Sequence, residues 1–136
     1  MSAKPVALIT GVGPGTGSAL ARRFAEGGYA VAMLARDKER LTALESELPD
    51  AKAFICDVSK EDEIAATVSR VTETMGAVEV FVHNAVGGAW GSFLEIDPKT
   101  LAMNFQVNTM ALLHFAQALA PAMIETGKGE VVATGK

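Results

Sequence analysis

Residues 7–26 read ALITGVGPGTGSALARRFAE, with glycines at 11, 13, 15 and 17 directly after an apolar run. A strand that passes through glycines into a helix suits an anion, because the first N–H groups of a helix are unpaired and carry partial positive charge. The register decides which anion. The strict G-x-G-x-x-G dinucleotide fingerprint fails from Gly11, where Thr16 takes the last glycine position, and from Gly13, where Ser18 does. Nothing follows the G-x-x-x-x-G-K-S/T pattern of a triphosphate loop.

Outward from this stretch, short β-rich runs alternate with helical patterns, which is how a parallel α/β sheet reads in sequence. Strands are expected near 5–10, 30–35, 52–56, 78–83 and 130–134, and helices near 16–27, 38–48, 60–75 and 98–125. Local signals set the ends. Ser59 with Asp62 suggests a capping box ahead of Ile64, Val68, Val71 and Met75 at helical spacing. Asp97-Pro98 offers an N-cap and then a proline whose missing N–H costs nothing at the first helical position. Gly27-Gly28 closes the first helix. Right-handed crossovers would line up the strand-to-helix loops along one sheet edge, and a ligand is expected there.

Composition bounds the function. A chain of 136 residues, 49% of them apolar, suits one domain over 1–136 with a real core. A net charge of -4 with scattered Lys and Arg provides no basic face for nucleic acid. The one cysteine, Cys56, lies in an apolar run and has no disulfide partner, which favours a reducing compartment and a cytoplasmic location. The N-terminus does not read as a signal peptide. The apolar segment Leu101–Ile124 is broken by Asn104, Gln106, Asn108, His114 and Gln117, so it reads as a buried helix rather than a membrane span. No acidic or His cluster suggests a metal site.

Two families share features of the glycine stretch. GVGPGTG is similar to the first motif of S-adenosylmethionine-dependent methyltransferases, but Ile9 stands where they carry an acid before the first glycine, and Ala35 where they carry one after strand two. The pattern TGxxxGxG, filled by Thr10, Gly11, Gly15 and Gly17 with Gly13 and Thr16 between them, resembles the short-chain dehydrogenase/reductase family. Read alone, the same glycines also fit a tight turn needing positive φ. Later residues extend the resemblance: Asp57-Val58 matches the family's pair at the adenine ring, and Asn84-Ala85 matches part of N-N-A-G, with His83 and Val86 departing on either side. Otherwise Asp57 is a turn former and His83 a satisfied strand histidine; Gly87-Gly88 would restore flexibility to the loop. The resemblance implies a Rossmann-like, doubly wound parallel sheet of about five strands in the order 3-2-1-4-5, and an oxidoreductase acting on a small carbonyl or alcohol substrate.

Asn108 falls within a helical stripe of Leu101, Phe105, Leu112, Phe115 and Leu119, where a buried amide without a partner would cost about 1–3 kcal/mol. It is expected to be buried and bonded, either as a structural amide or, by the resemblance, as a catalytic residue supporting a relay water. Met103, Val107, Met110 and His114 mark a second side of that helix, either core or the contact of a homo-oligomer.

Dinucleotide folds read the adenosine ribose after strand two, where an acid accepts the 2′-OH and Arg accommodates a 2′-phosphate. Ala35 takes the acidic position and Arg36 follows, with Lys38 and Arg40 adding positive potential. The expected cofactor is therefore NADP rather than NAD, unless Asp37 turns to the ribose instead of capping the next helix. Trp90 and Phe93 read either as substrate-pocket residues or as loop anchors. The family's catalytic Ser and Tyr-x-x-x-Lys have no counterpart: the single tyrosine, Tyr29, begins strand two, and Met33 lies four residues after it. The chain therefore reads as the cofactor-binding half of a family member, inactive by itself. A non-catalytic nucleotide-binding or assembly module is the alternative.

Overall fold

The computed structural model of the chain describes residues 4–135. Its centre is β1 (Val6–Ile9), whose four residues are all buried. Parallel pairing joins β1 to β2 (Ala30–Ala35) on one side and to β4 (Val78–His83) on the other. β3 (Ala51–Ile55) and β5 (Glu130–Ala133) complete a sheet in the order β3-β2-β1-β4-β5. The expected doubly wound topology is the one observed.

Alternation along the strands divides the core. Val6, Leu8, Ala32, Leu34 and Phe81 face α3 (Glu61–Met75) and α5 (Ala111–Thr126), meeting Ile64, Val71, Phe115 and Leu119. Ala7, Ile9, Val31, Met33, Val80 and Val82 face the other layer, with Ala21 of α1 (Thr16–Glu26) and Leu41 and Leu44 of α2 (Lys38–Glu47). Each fully buried Leu, Ile or Phe contributes about 1.5–3 kcal/mol by leaving water, so both helical layers are held mainly by these contacts.

Several helix ends match their local signals. Asp97 accepts the Lys99 amide at 2.9 Å and starts α4 (Pro98–Phe105). Gly27 is the C-cap of α1, and Gly28 turns the chain at φ +92°. The expected capping box at Ser59 and Asp62 does not form. The Ser59 hydroxyl instead donates to Asp57 Oδ1 at 2.7 Å, Lys60 takes the N-cap position, and Glu63 reaches back to the Asp57 amide at 3.0 Å.

The expected single α-helix over 98–125 is also corrected. Gln106–Met110 forms a π turn between α4 and α5, in which the Ala111 amide bonds Gln106, five residues back. The wider turn accommodates an extra residue and offsets the faces on its two sides by about 100°. Of the stripe only Phe115 and Leu119 are buried, joined by Ala111 and Met123, while Leu112 is half-buried and Leu101 and Phe105 are each 57% exposed. Asn108 is exposed rather than buried.

Candidate functional site

The C-terminal ends of β1 to β4 open onto a cleft of about 540 Å³. Gly11, Gly13, Gly15, Thr16 and Gly17 line it from the β1–α1 turn, Arg36 from the end of β2, Asp57 and Val58 from the end of β3, and Asn84 and Ala85 from the end of β4. Residues from four separate loops thus share one wall-to-wall space.

The glycines have different duties. Gly11 has φ +66°, and a Cβ there would stand 2.6 Å from both the Cα and the amide nitrogen of Ala85. A Cβ on Gly17 would lie 2.7 Å from Val12 Cα, so the start of α1 rests directly on the turn. Added carbons at Gly13 and Gly15 meet nothing within 4 Å. No side chain caps α1 at Gly15, leaving the positive end of an 11-residue helix at the cleft. This combination of tight turn, open backbone and uncapped helix accommodates an anionic group approaching the main chain.

Thr10 lies one layer behind this wall and is fully buried. Its hydroxyl oxygen accepts the Asn84 amide at 2.9 Å and the Ala85 amide at 3.0 Å, and contacts His83 Nδ1 at 2.9 Å. The Asn84 side chain donates to the Gly11 carbonyl at 3.1 Å and accepts from the Thr134 hydroxyl at 2.9 Å. Three strand ends are thereby fixed relative to one another.

At the outer sheet edge, the Ser59 hydroxyl and amide, with Lys60 and Arg36 nearby, hold the Asp57 carboxyl below the usual carboxylate range. Asp57 is thus a fixed negative charge at the cleft. Burial pushes the Cys56 thiol up, and this residue is 1% exposed, in keeping with an inert buried cysteine.

Asn108 does not line the cleft. It holds Gly87, which does: its Oδ1 accepts the Gly87 amide at 2.9 Å, and its Nδ2 donates to the Gly87 carbonyl at 3.3 Å. Gly87 is thus tied to the helix side of the cleft, and a Cβ there would also come within 2.5 Å of Asn104 Oδ1. Met103, Asn104 and Val107 close that side of the cleft. Their helical spacing gave two of them a packing side, but only the packing of α4 and the π turn beside the β4 loop brings them to the site. Tyr29 lies at the far end of the sheet, with its ring edge-on to Phe24 at 5.2 Å.

The model of the short chain dehydrogenase family matches residues 5–135. The chain belongs to the short-chain dehydrogenase/reductase family. With that membership, the methyltransferase alternative falls. Among its relatives, a granaticin polyketide synthase putative ketoacyl reductase from Streptomyces violaceoruber is 39% identical over 99 residues, covering 70% of this chain and 36% of the relative. A metagenomic short-chain oxidoreductase solved in complex with NADP superposes with a TM-score of 0.90 at 34% identity, over 96% of this chain and 62% of the other. An NAD+-bound xylitol dehydrogenase superposes equally well, at 0.90 with 29% identity, over 97% of this chain and 53% of the other. The chain therefore spans about a third to two thirds of these relatives. Neighbours holding either dinucleotide share its backbone, so nucleotide choice rests on its own side chains.

Proposed function

We propose that the chain supplies the NADP(H)-binding half of a reductase that moves hydride between the dinucleotide and a small carbonyl or alcohol substrate. The observation that carries the nucleotide choice is the disposition of Asp37. Asp37 also lines the cleft, but its carboxylate accepts the Arg40 amide at 3.2 Å through Oδ1 as the N-cap of α2 and lies 3.8 Å from Arg40 Nη1 through Oδ2, so both oxygens already have partners on α2. Ala35, Arg36 and Arg40 line the cleft beside it, where Arg36 offers a bidentate contact to a 2′-phosphate.

The glycine turn and the uncapped start of α1 would hold the pyrophosphate, Asp57 and Val58 the adenine, and Asn84 and Ala85 the wall beside the adenosine. When bound, the dinucleotide supplies the hydride. Asn108, through Gly87, keeps the β4 loop at the cleft and is the residue proposed to support a relay water. Reduction also needs a proton donor at the substrate oxygen. The single tyrosine, Tyr29, is at the wrong end of the sheet to be that donor. These 136 residues alone are therefore expected to bind NADPH without turnover. The single, buried Cys56 suits a cytoplasmic setting.

Titration of the chain with NADPH and NADH tests the reading. NADPH is expected to bind about tenfold or more tightly, and Arg36→Ala to erase most of that difference, as loss of a charge-assisted hydrogen bond does. Equal affinities, or a preference unchanged by Arg36→Ala, would overturn the choice of NADP.

A further inference from the structure

His83 is 3% exposed and lies between the two sides of the cleft, yet none of the roles above uses its ring. Its Nδ1 is 2.9 Å from the Thr10 hydroxyl oxygen, and its Nε2 is 2.9 Å from the Val107 carbonyl. Donor and acceptor counting assigns both contacts. A threonine hydroxyl has two acceptor sites and one hydrogen. The Asn84 and Ala85 amides occupy both acceptor sites of Thr10. Its one hydrogen must then go to His83 Nδ1, which accepts. The ring proton is therefore on Nε2 and is donated to the Val107 carbonyl.

The π turn takes away the donor that an α-helix would give that carbonyl. In a continuous α-helix the amide of residue 111 would bond residue 107, but here the Ala111 amide bonds Gln106. The neighbouring residue on the turn, Asn108, holds Gly87. One imidazole thus connects the threonine that orders the Asn84–Ala85 wall to the turn that presents Asn108.

We propose that His83 is a tautomer-locked positioning residue, whose neutral Nε2–H ring couples the glycine-turn wall of the cleft to the π turn. A second proton, on Nδ1, would face a hydroxyl whose acceptor sites are already filled, so the network holds only while the ring is neutral. The ring's surroundings agree: Phe81 and Phe115 lie with ring centres 5.9 and 6.2 Å away. Burial lowers the His83 pKa, the Val107 carbonyl opposes this in part, and no charged side chain enters among the described residues.

The tautomer follows from the hydrogen bonds alone, whereas the effect on affinity rests on the NADP(H) reading. Long-range 1H–15N spectra of the uniformly labelled chain test the first. The chain has two histidines, and His83→Asn assigns the signals. At pH 7 the expected pattern is an unprotonated Nδ1 and a protonated Nε2, persisting as the pH is lowered below about 6.5. An Nδ1–H ring, or one titrating at its ordinary value, overturns the proposal.

NADPH titration tests the coupling. His83→Leu, which can neither accept nor donate, is expected to bind about tenfold more weakly, while His83→Asn, which can do both, stays within about threefold of the parent. Parent-like binding by His83→Leu overturns the coupling. If His83→Leu does not fold, the parent spectrum and His83→Asn still decide: loss of binding by a folded His83→Asn as large as tenfold also counts against it. A folded parent with the Nε2–H signature that binds no NADPH overturns the nucleotide reading instead, and leaves the lock standing.

Discussion

At the scale of single residues, the glycines that look alike in sequence separate into two kinds. Gly11 combines φ +66° with backbone atoms of Ala85 2.6 Å from any added Cβ, so alanine there is both strained and obstructed. Gly11→Ala is expected to cost about 1–3 kcal/mol from the backbone conformation alone, seen as a lowered Tm together with weaker NADPH binding. Gly15 has φ -98° and open space around the same position. Gly15→Ala should lower Tm less than Gly11→Ala, since no backbone obstructs the added carbon, and weaken NADPH binding, because the methyl group projects where the anion approaches. A parallel loss of Tm in both variants would contradict this division. His83 gives the pH dependence. Its folded pKa lies below the unfolded one, so below about pH 6.5 the unfolded chain takes up more protons. Stability that is whole above that pH is lost as the pH falls. Asp57, held below the usual carboxylate range, adds a second loss only at more acidic pH. Thermal melts between pH 7.5 and 5 are expected to show a decline that His83→Asn removes.

At the scale of elements, the cap of α4 is a local interaction and reads directly from sequence. Asp97 bonds an amide two residues on, so Asp97→Ala should cost about 1 kcal/mol. Hydrogen exchange in α4 should accelerate more than in β1, because α4 buries no residue of its own while β1 is wholly buried. Uniform acceleration would show that α4 opens only with the whole fold. The Ser59 capping box shows where local reading ends. Its hydroxyl has a second suitor, the Asp57 carboxylate, and the Asx-type turn that results moves the helix start to Glu61. The π turn was still less legible. Its environment includes Val107 bonded to a histidine 24 residues away and Asn108 bonded to a glycine 21 residues away. Neither contact leaves a trace in helical periodicity, and the stripe that seemed to bury Asn108 changes phase at this turn.

At the scale of the molecule, β5 is the outer strand beyond β4 among the described residues, and its four residues are all exposed, including Val131 at 48% and Val132 at 42%. The helical run Pro98–Thr126 is long and apolar enough to cross a bilayer by length and composition. It packs on the sheet through Phe115 and Leu119, but Leu113 and Ile124 remain exposed, so only one stripe satisfies the expectation of a buried helix. The sequence by itself determined the parallel α/β class, the strand and helix succession, and the cleft residues from the glycine turn and strand ends, because periodicity, capping and crossover handedness act over short separations or by general rule. Only the tertiary structure decided that Thr10 supports the cleft from behind, that Asn108 grips Gly87, that α4 and the π turn close one side, and that His83 joins them. Those facts depend on which groups from distant strands compete for the same hydrogen bonds once the sheet has brought them together.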